Sequence, residues 1–106
     1  MSNESGRYTA REGVLTKATD AVMGARNKKY GPPKQDFDRS AGVLNSLGFQ
    51  FQGGRIHSHH IAMIQVAVKL SRLTSSPSHE DSWVDLAGYA ACGYECATLE
   101  ADDAQM

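Results

Sequence analysis

SHHIAMIQVAVKLSRLTSSPSHEDSWVDLAGYAACGYE, residues 58–95, reads as two helices joined by a short polar loop, and the rest of the chain is expected to support or screen this hairpin. Ser58 stands just ahead of an apolar-periodic run and is the expected N-cap of the first helix, because its hydroxyl can accept from an orphan amide of the first turn. From Ile61 that helix is apolar on nearly every side, through Ala62, Met63, Ile64, Val66, Ala67, Val68, Leu70 and Leu73, so it is expected to be buried. Its longer polar residues, Gln65, Lys69 and Arg72, follow one another at helical spacing and stack on one face. An otherwise apolar helix thus carries a narrow cationic stripe. In the second helix Trp83, Val84, Leu86, Ala87, Ala90, Ala91, Tyr94 and Ala97 supply apolar surface, while Asp81, Asp85, Cys92 and Glu95 share another face.

Loop length fixes the geometry. The connection SSPSHE, with Thr74 before it, is short enough to force the helices antiparallel, and its Pro77 stops the first of them. Residues equally distant from the turn then meet, which puts Arg72 near Asp81 and Lys69 near Asp85. Such charges are either structural ion pairs or a site. Buried ion pairs are poor stabilisers, since desolvation costs several kcal/mol per ion and apolar replacements often serve as well. A phosphate ligand gives four charges on two apolar helices another purpose: Lys and Arg bind phosphate oxygens, and carboxylates at helical spacing can hold Mg2+ that bridges to the same phosphates.

With 106 residues and 41% hydrophobic content the chain is one domain with a small core. A net charge of -1 supplies no basic field to recruit nucleic acid, so nucleic-acid binding is not expected. Cys92 and Cys96 fall on one helical face, poorly placed for a useful disulfide loop, and read as reduced and buried. No signal peptide or long apolar run is evident, which places the chain in the cytoplasm with no membrane partner.

Outward from the hairpin, residues 1–8 are polar and aperiodic and read as a disordered tail. Val14, Leu15, Ala18, Val22 and Ala25 recur with helical spacing and mark a first amphipathic helix. It ends in RNKKYGPP, where Gly31 can take a left-handed conformation and Pro32 and Pro33 cannot continue a helix. A second helix starts near Gln35 or Asp36, presents Phe37, Ala41, Leu44 and Leu47, and closes at Gly48. Lys28, Tyr30 and Arg39 gather near this turn, where an aromatic ring and two cations suit a base and a phosphate; the alternative is a capping turn and nothing more. FQFQGGRIH permits a short hairpin or a mobile loop. The run of His57, His59 and His60 around Ser58 invites a metal, but adjacent residues at a helix start point in different directions, which favours solvated or capping histidines. Four helices are therefore expected, near residues 9–28, 35–47, 58–74 and 81–99, forming a single domain over 9–99 with a disordered acidic tail at 100–106. The 61–73 helix offers apolar surface on more sides than its short companions can cover, so a homo-oligomer, most simply a dimer, is expected to complete the bundle.

The combination of KKYGPPKQDFDRSA, KLSRL and HEDSWVDLAGYAACGYE resembles small bacteriophage-encoded proteins described as MazG-like. These are similar to the all-alpha nucleoside triphosphate pyrophosphohydrolases, the group including MazG and the dimeric dUTPases. The resemblance implies an all-α, four-helix fold in the host cytoplasm and hydrolysis of a nucleoside triphosphate to the monophosphate and pyrophosphate. The superfamily holds Mg2+ with a Glu-x-x-Glu helix and a second helix carrying Glu-x-x-Asp. Asp85 matches the final Asp, Ser82 stands where its partner Glu belongs, and Lys69 and Arg72 occupy the first acidic pair, a reversal of charge. On this reading Asp81 and Asp85 hold the metal, Lys69 and Arg72 neutralise phosphate charge, and Lys28, Tyr30 and Arg39 help to hold the ligand. Two alternatives stay open: a module that binds a nucleotide or phosphate without turnover, and a helical protein-interaction bundle whose charges only set register.

Overall fold

The computed structural model describes residues 3–105, with side chains for 9–24 and 27–102. The expected four helices are present, with the first in two pieces: α1 (Asn3–Met23), α2 (Ala25–Tyr30), α3 (Pro33–Ser46), α4 (Ser58–Ser75) and α5 (Glu80–Gln105). The described residues form no regular strand. FQFQGGRIH makes a tight turn closed by an isolated bridge between Phe51 and Gly54, with Gln52 and Gly53 at φ 51° and 76°.

Proline and glycine set the boundaries. Gly31 ends α2 at φ 82°, Pro32 turns the chain with an extended ψ, and Pro33 opens α3 at N1, where its missing N–H is an orphan in any case. α3 therefore starts two residues earlier than the sequence pattern gives. At its far end Gly48 takes φ 92° and releases the chain into the 49–57 loop. Asn45 ties that loop back, its amide donating to the Ile56 carbonyl at 2.8 Å and its oxygen accepting the Ile56 N–H at 2.9 Å.

α4 and α5 form the antiparallel hairpin, as three cross-helix pairings show: Ser58 with Glu100, Ala62 with Gly93, and Lys69 with Asp85. α1 lies along α5 and α3 packs on α4. Phe37, Ala41, Ile56, Ile61, Ala62, Cys92 and Cys96 make the core, edged by Val22, Leu44 and Tyr89. Phe37 is 1% exposed, and burial of a ring this completely contributes about 1.5–3 kcal/mol. Both cysteines are free and buried, as expected.

Several expectations are corrected. α4 is not fully buried: Met63, Ile64, Val68 and Leu70 are exposed in the single chain, because α3 and α5 cover only part of its circumference. Its N-cap is His57 instead of Ser58; Ser58 is fully buried and turned toward α5. The helical ladder of α5 runs through Gln105, so the expected break after Leu99 is not where the helix ends. Of the expected N-terminal tail, residues 1 and 2 lie outside the described residues and the backbone from Asn3 is helical. No described helix is long and apolar enough to cross a membrane.

Candidate functional site

Lys69 Nζ lies 2.9 Å from Asp85 Oδ2, the cross-helix pair expected from the antiparallel hairpin. The Lys69 side chain is only 12% exposed and that of Asp85 43%, so a mostly covered ammonium meets a carboxylate at the protein surface. Asp85 also lines a cleft of about 270 Å3 between α1 and α5, walled by Ala21, Val22, Val84, Gly88 and Tyr89. The lining is largely apolar, with Asp85 its one charged residue. An ammonium has three donors, and Asp85 takes one of them.

The second expected pair does not form. Arg72 and Asp81 are both exposed, and no ion pair joins them among the described residues. Where α1 meets the start of α5, Lys17 pairs with Glu80. The hydrogen bond and charge of Glu80 push the Lys17 ammonium up from its ordinary value, against a small cost of burial, and Asp81 adds to the same field. Lys17 and Glu80 thus form a further ion pair, one that only the packing of α1 on α5 reveals.

Lys28, Tyr30 and Arg39 sit elsewhere. Arg39 Nη2 donates to the Tyr30 carbonyl at 2.7 Å and approaches Asp36 Oδ1 at 3.4 Å, while Lys29, not Lys28, lies over the Tyr30 ring at 5.2 Å. This turn borders a second cavity of about 230 Å3, walled by Asn27, Pro32, Pro33 and Glu95, which adjoins the Asp85 cleft through Val22 and Cys92. Lys28, Tyr30 and Arg39 line neither cavity, so the structure does not bring this group onto the Lys69–Asp85 pair. Asn27 Oδ1 is buried there without a hydrogen-bond partner among the described residues.

Asp81 and Asp85 by themselves are an incomplete donor set for Mg2+. That ion demands near-octahedral oxygen coordination. Here Asp85 is engaged by Lys69, Asp81 is exposed, and no group of three or more His, Cys, Asp or Glu among the described residues is placed to hold a metal.

A polar node that the sequence did not reveal lies at the opposite end of the hairpin. The Glu100 carboxylate accepts from the Ser58 N–H at 2.9 Å, from the Ser58 hydroxyl and from His59 Nδ1. Burial works against the Glu100 charge, but the hydrogen bonds from Ser58 and His59 prevail and hold the carboxyl below its ordinary range. His57 and His60 pair as a capping box: His60 Nδ1 accepts the His57 N–H at 2.8 Å, and the His60 N–H, beside the His57 ring, donates to the His57 carbonyl at 3.1 Å. The capping role expected for these histidines is met, but their rings cluster instead of diverging. The signal for Glu100 was present: it continues the four-residue spacing of buried Cys92 and Cys96.

Two bacteriophage proteins are similar to this chain. The Gene 55 protein of Mycobacterium phage D29 is 31% identical over 76% of this chain and 51% of its own length. That of Mycobacterium phage L5 is 30% identical over 73% of this chain and 47% of its own length. The chain therefore spans about half the length of the curated relatives it matches, and the bacteriophage connection read from the sequence stands. No solved structure matches the chain. The match that covers most of the hairpin and its supporting helices runs over residues 13–97, and on it the chain belongs to the family described as Domain of unknown function (DUF6378).

Proposed function

We propose that the chain is a MazG-like helical domain that captures the triphosphate of a nucleoside triphosphate at the rim formed by Lys69, Arg72 and Asp85. The observation that carries this reading is the Lys69–Asp85 pair. A cation 12% exposed and held by one carboxylate, which itself lines a cleft of about 270 Å3, retains donors for phosphate oxygens. Arg72, one turn along α4 and without a partner among the described residues, adds a second cation to the same stripe. Charge at this rim favours anion capture over metal capture, since Lys69 and Arg72 stand where the resembled enzymes carry acids. The exposed apolar face of α4 belongs to the same reading: a second copy of the chain covering Met63 and Leu70 would complete the bundle.

Hydrolysis to the monophosphate and pyrophosphate is the second reading, and one observation favours it. Asp85 coincides with the final acidic position of the pyrophosphohydrolase motif and lies on the cleft wall. In that form Asp81 and Asp85 are the candidates to hold Mg2+, and Lys28, Tyr30 and Arg39 reach the ligand only by way of a partner copy or a long substrate.

A thermal-shift panel of common nucleoside triphosphates with and without Mg2+, run beside a pyrophosphate-release assay, tests both. Stabilisation without pyrophosphate release is the outcome expected for capture. Release that requires Mg2+ establishes hydrolysis. No stabilisation and no release by any nucleotide removes both, and leaves a helical protein-interaction module.

A further inference from the structure

Four aromatic rings meet where the 49–57 loop enters α4. The His59 and His60 ring centroids are 4.1 Å apart, His57 stands 6.0 Å from His59 and 5.6 Å from His60, and Phe51 of the loop lies 4.3 Å from His60. The His60 imidazole works as a hydrogen-bond acceptor, since its Nδ1 takes the His57 N–H at 2.8 Å as one arm of the capping box. An imidazole nitrogen accepts only while it carries a lone pair, so this arm exists only while His60 is neutral. The Ser, Thr, Glu or Gln that ordinarily form a capping box keep their acceptors across that range of pH. His59 has the opposite chemistry: its Nδ1 faces the Glu100 carboxylate, and a proton on that ring strengthens the contact.

We infer that the start of α4 is an acid-released latch: protonation of His60 breaks the cap and frees the Phe51 loop, while the His59–Glu100 contact keeps the helix docked on α5. The groups around the latch agree with this. From α4 itself His57 and His59 face His60; from α5 come Glu100 and the Cys96 thiol, which bonds to Ser58; from the loop comes Phe51, which carries no charge. Arg55 lines a separate cavity with Asn45 and Phe49. Burial, and then the charges of His59 and His57, hold His60 below its ordinary value of 6.5 against the pull of Glu100. A histidine depressed in this way stabilises the fold fully above its ordinary value, and that contribution is lost as pH falls through the lower folded value. The freed segment would carry Phe49, already 58% exposed, and Phe51 into solvent.

Amide hydrogen exchange on the full chain, followed by NMR from about pH 7.5 to about pH 5, tests the latch across the histidine range. After correction for the intrinsic pH dependence of exchange, protection over residues 51–60 should fall about fivefold to tenfold, the size of one lost cap. Protection in the middle of α5 should hold. The variant His60→Gln replaces this arm by an acceptor that does not titrate, and its protection over 51–60 should stay level with pH. Wild-type protection that stays level to the acid end overturns the latch. So does a fall of equal size in the variant.

Discussion

Gly93 of α5 packs so closely on Ala62 of α4 that a methyl group at Gly93 would stand 2.9 Å from the Ala62 Cβ. Neither atom belongs to a flexible side chain that could swing away, so the two helices must part. Helix propensity alone would reward Gly→Ala by about 1 kcal/mol in a helix interior. Overpacking costs about 1–3 kcal/mol and opposes it here. Gly93→Ala is therefore expected to lower the melting temperature. Gly13→Ala in α1, where the new methyl meets nothing within 4 Å, is expected to raise it. Thermal denaturation of the two variants side by side checks the contrast, and a higher melting temperature for Gly93→Ala would contradict the close approach.

Glu100 is expected to be a stabilising residue although it stands in an acidic segment. Its carboxylate holds Ser58 and His59, and hydrogen bonds to charged groups contribute about 1.5–3 kcal/mol each before their mutual dependence is counted. Glu100→Gln should cost about 1–2 kcal/mol at neutral pH, measured by denaturant unfolding. The sign with pH follows from the lowered carboxyl. Its contribution is fully present above the ordinary value of 4.5 and disappears as pH falls through the lower folded value. Wild type should lose stability in that acid window more steeply than Glu100→Gln. Parallel pH profiles would count against the node.

Much of this architecture was legible because punctuation and period agree. Gly31, Pro32, Pro33, Gly48 and Pro77 break the chain where the helical patterns stop, and each does so for a backbone reason that needs no tertiary context. The Lys69–Asp85 pair was legible from the shortness of the loop. Arg72 with Asp81 was not, because the loop occupies residues 76–79 and the residue as far from it as Arg72 is Trp83. The Trp83 indole instead reaches back to the Pro77 carbonyl at 2.8 Å. Glu100 was hidden for a different reason: its partners stand 41 and 42 residues away, and local composition reads the segment as solvated. The spread of apolar residues around α4 was visible, but how many companions would cover them is a property of the packing.

Self-association through α4 and α5 is the expected fate of the uncovered apolar face. Met63 and Leu70 are 51% and 49% exposed on the wall of a groove of about 470 Å3, floored by Ala62, Ala90, Gly93 and Ala97. Large side chains beside a floor of small ones are self-complementary, and a contiguous patch of this kind seldom stays open. Sedimentation at high micromolar concentration should show a dimer that Leu70→Asp converts to monomer without loss of helical circular dichroism. A monomeric wild type at that concentration would sink the idea.

The last prediction concerns the Lys69–Asp85 pair, where stability and ligand response separate. Asp85→Asn leaves a Lys69 side chain 12% exposed without its counter-charge. Breaking a buried pair costs about 3–5 kcal/mol, but Asp85 is 43% exposed and solvent screens it, so a loss of about 1–2 kcal/mol is expected. Lys69→Met in the same background should restore most of it, since the stranded cation is gone and the remaining polar group reaches water. Ligand response then discriminates. If the rim captures triphosphate, Asp85→Asn removes a competing anion, and the nucleotide-induced rise in melting temperature, taken against the variant's own baseline, should be kept or enlarged. Lys69→Met should abolish that rise. If instead Asp85 serves a metal, Asp85→Asn should silence the Mg2+-dependent response and any pyrophosphate release together. A rise that survives Lys69→Met unchanged would remove Lys69 from the site under either reading, because the cation is the one group that both of them require.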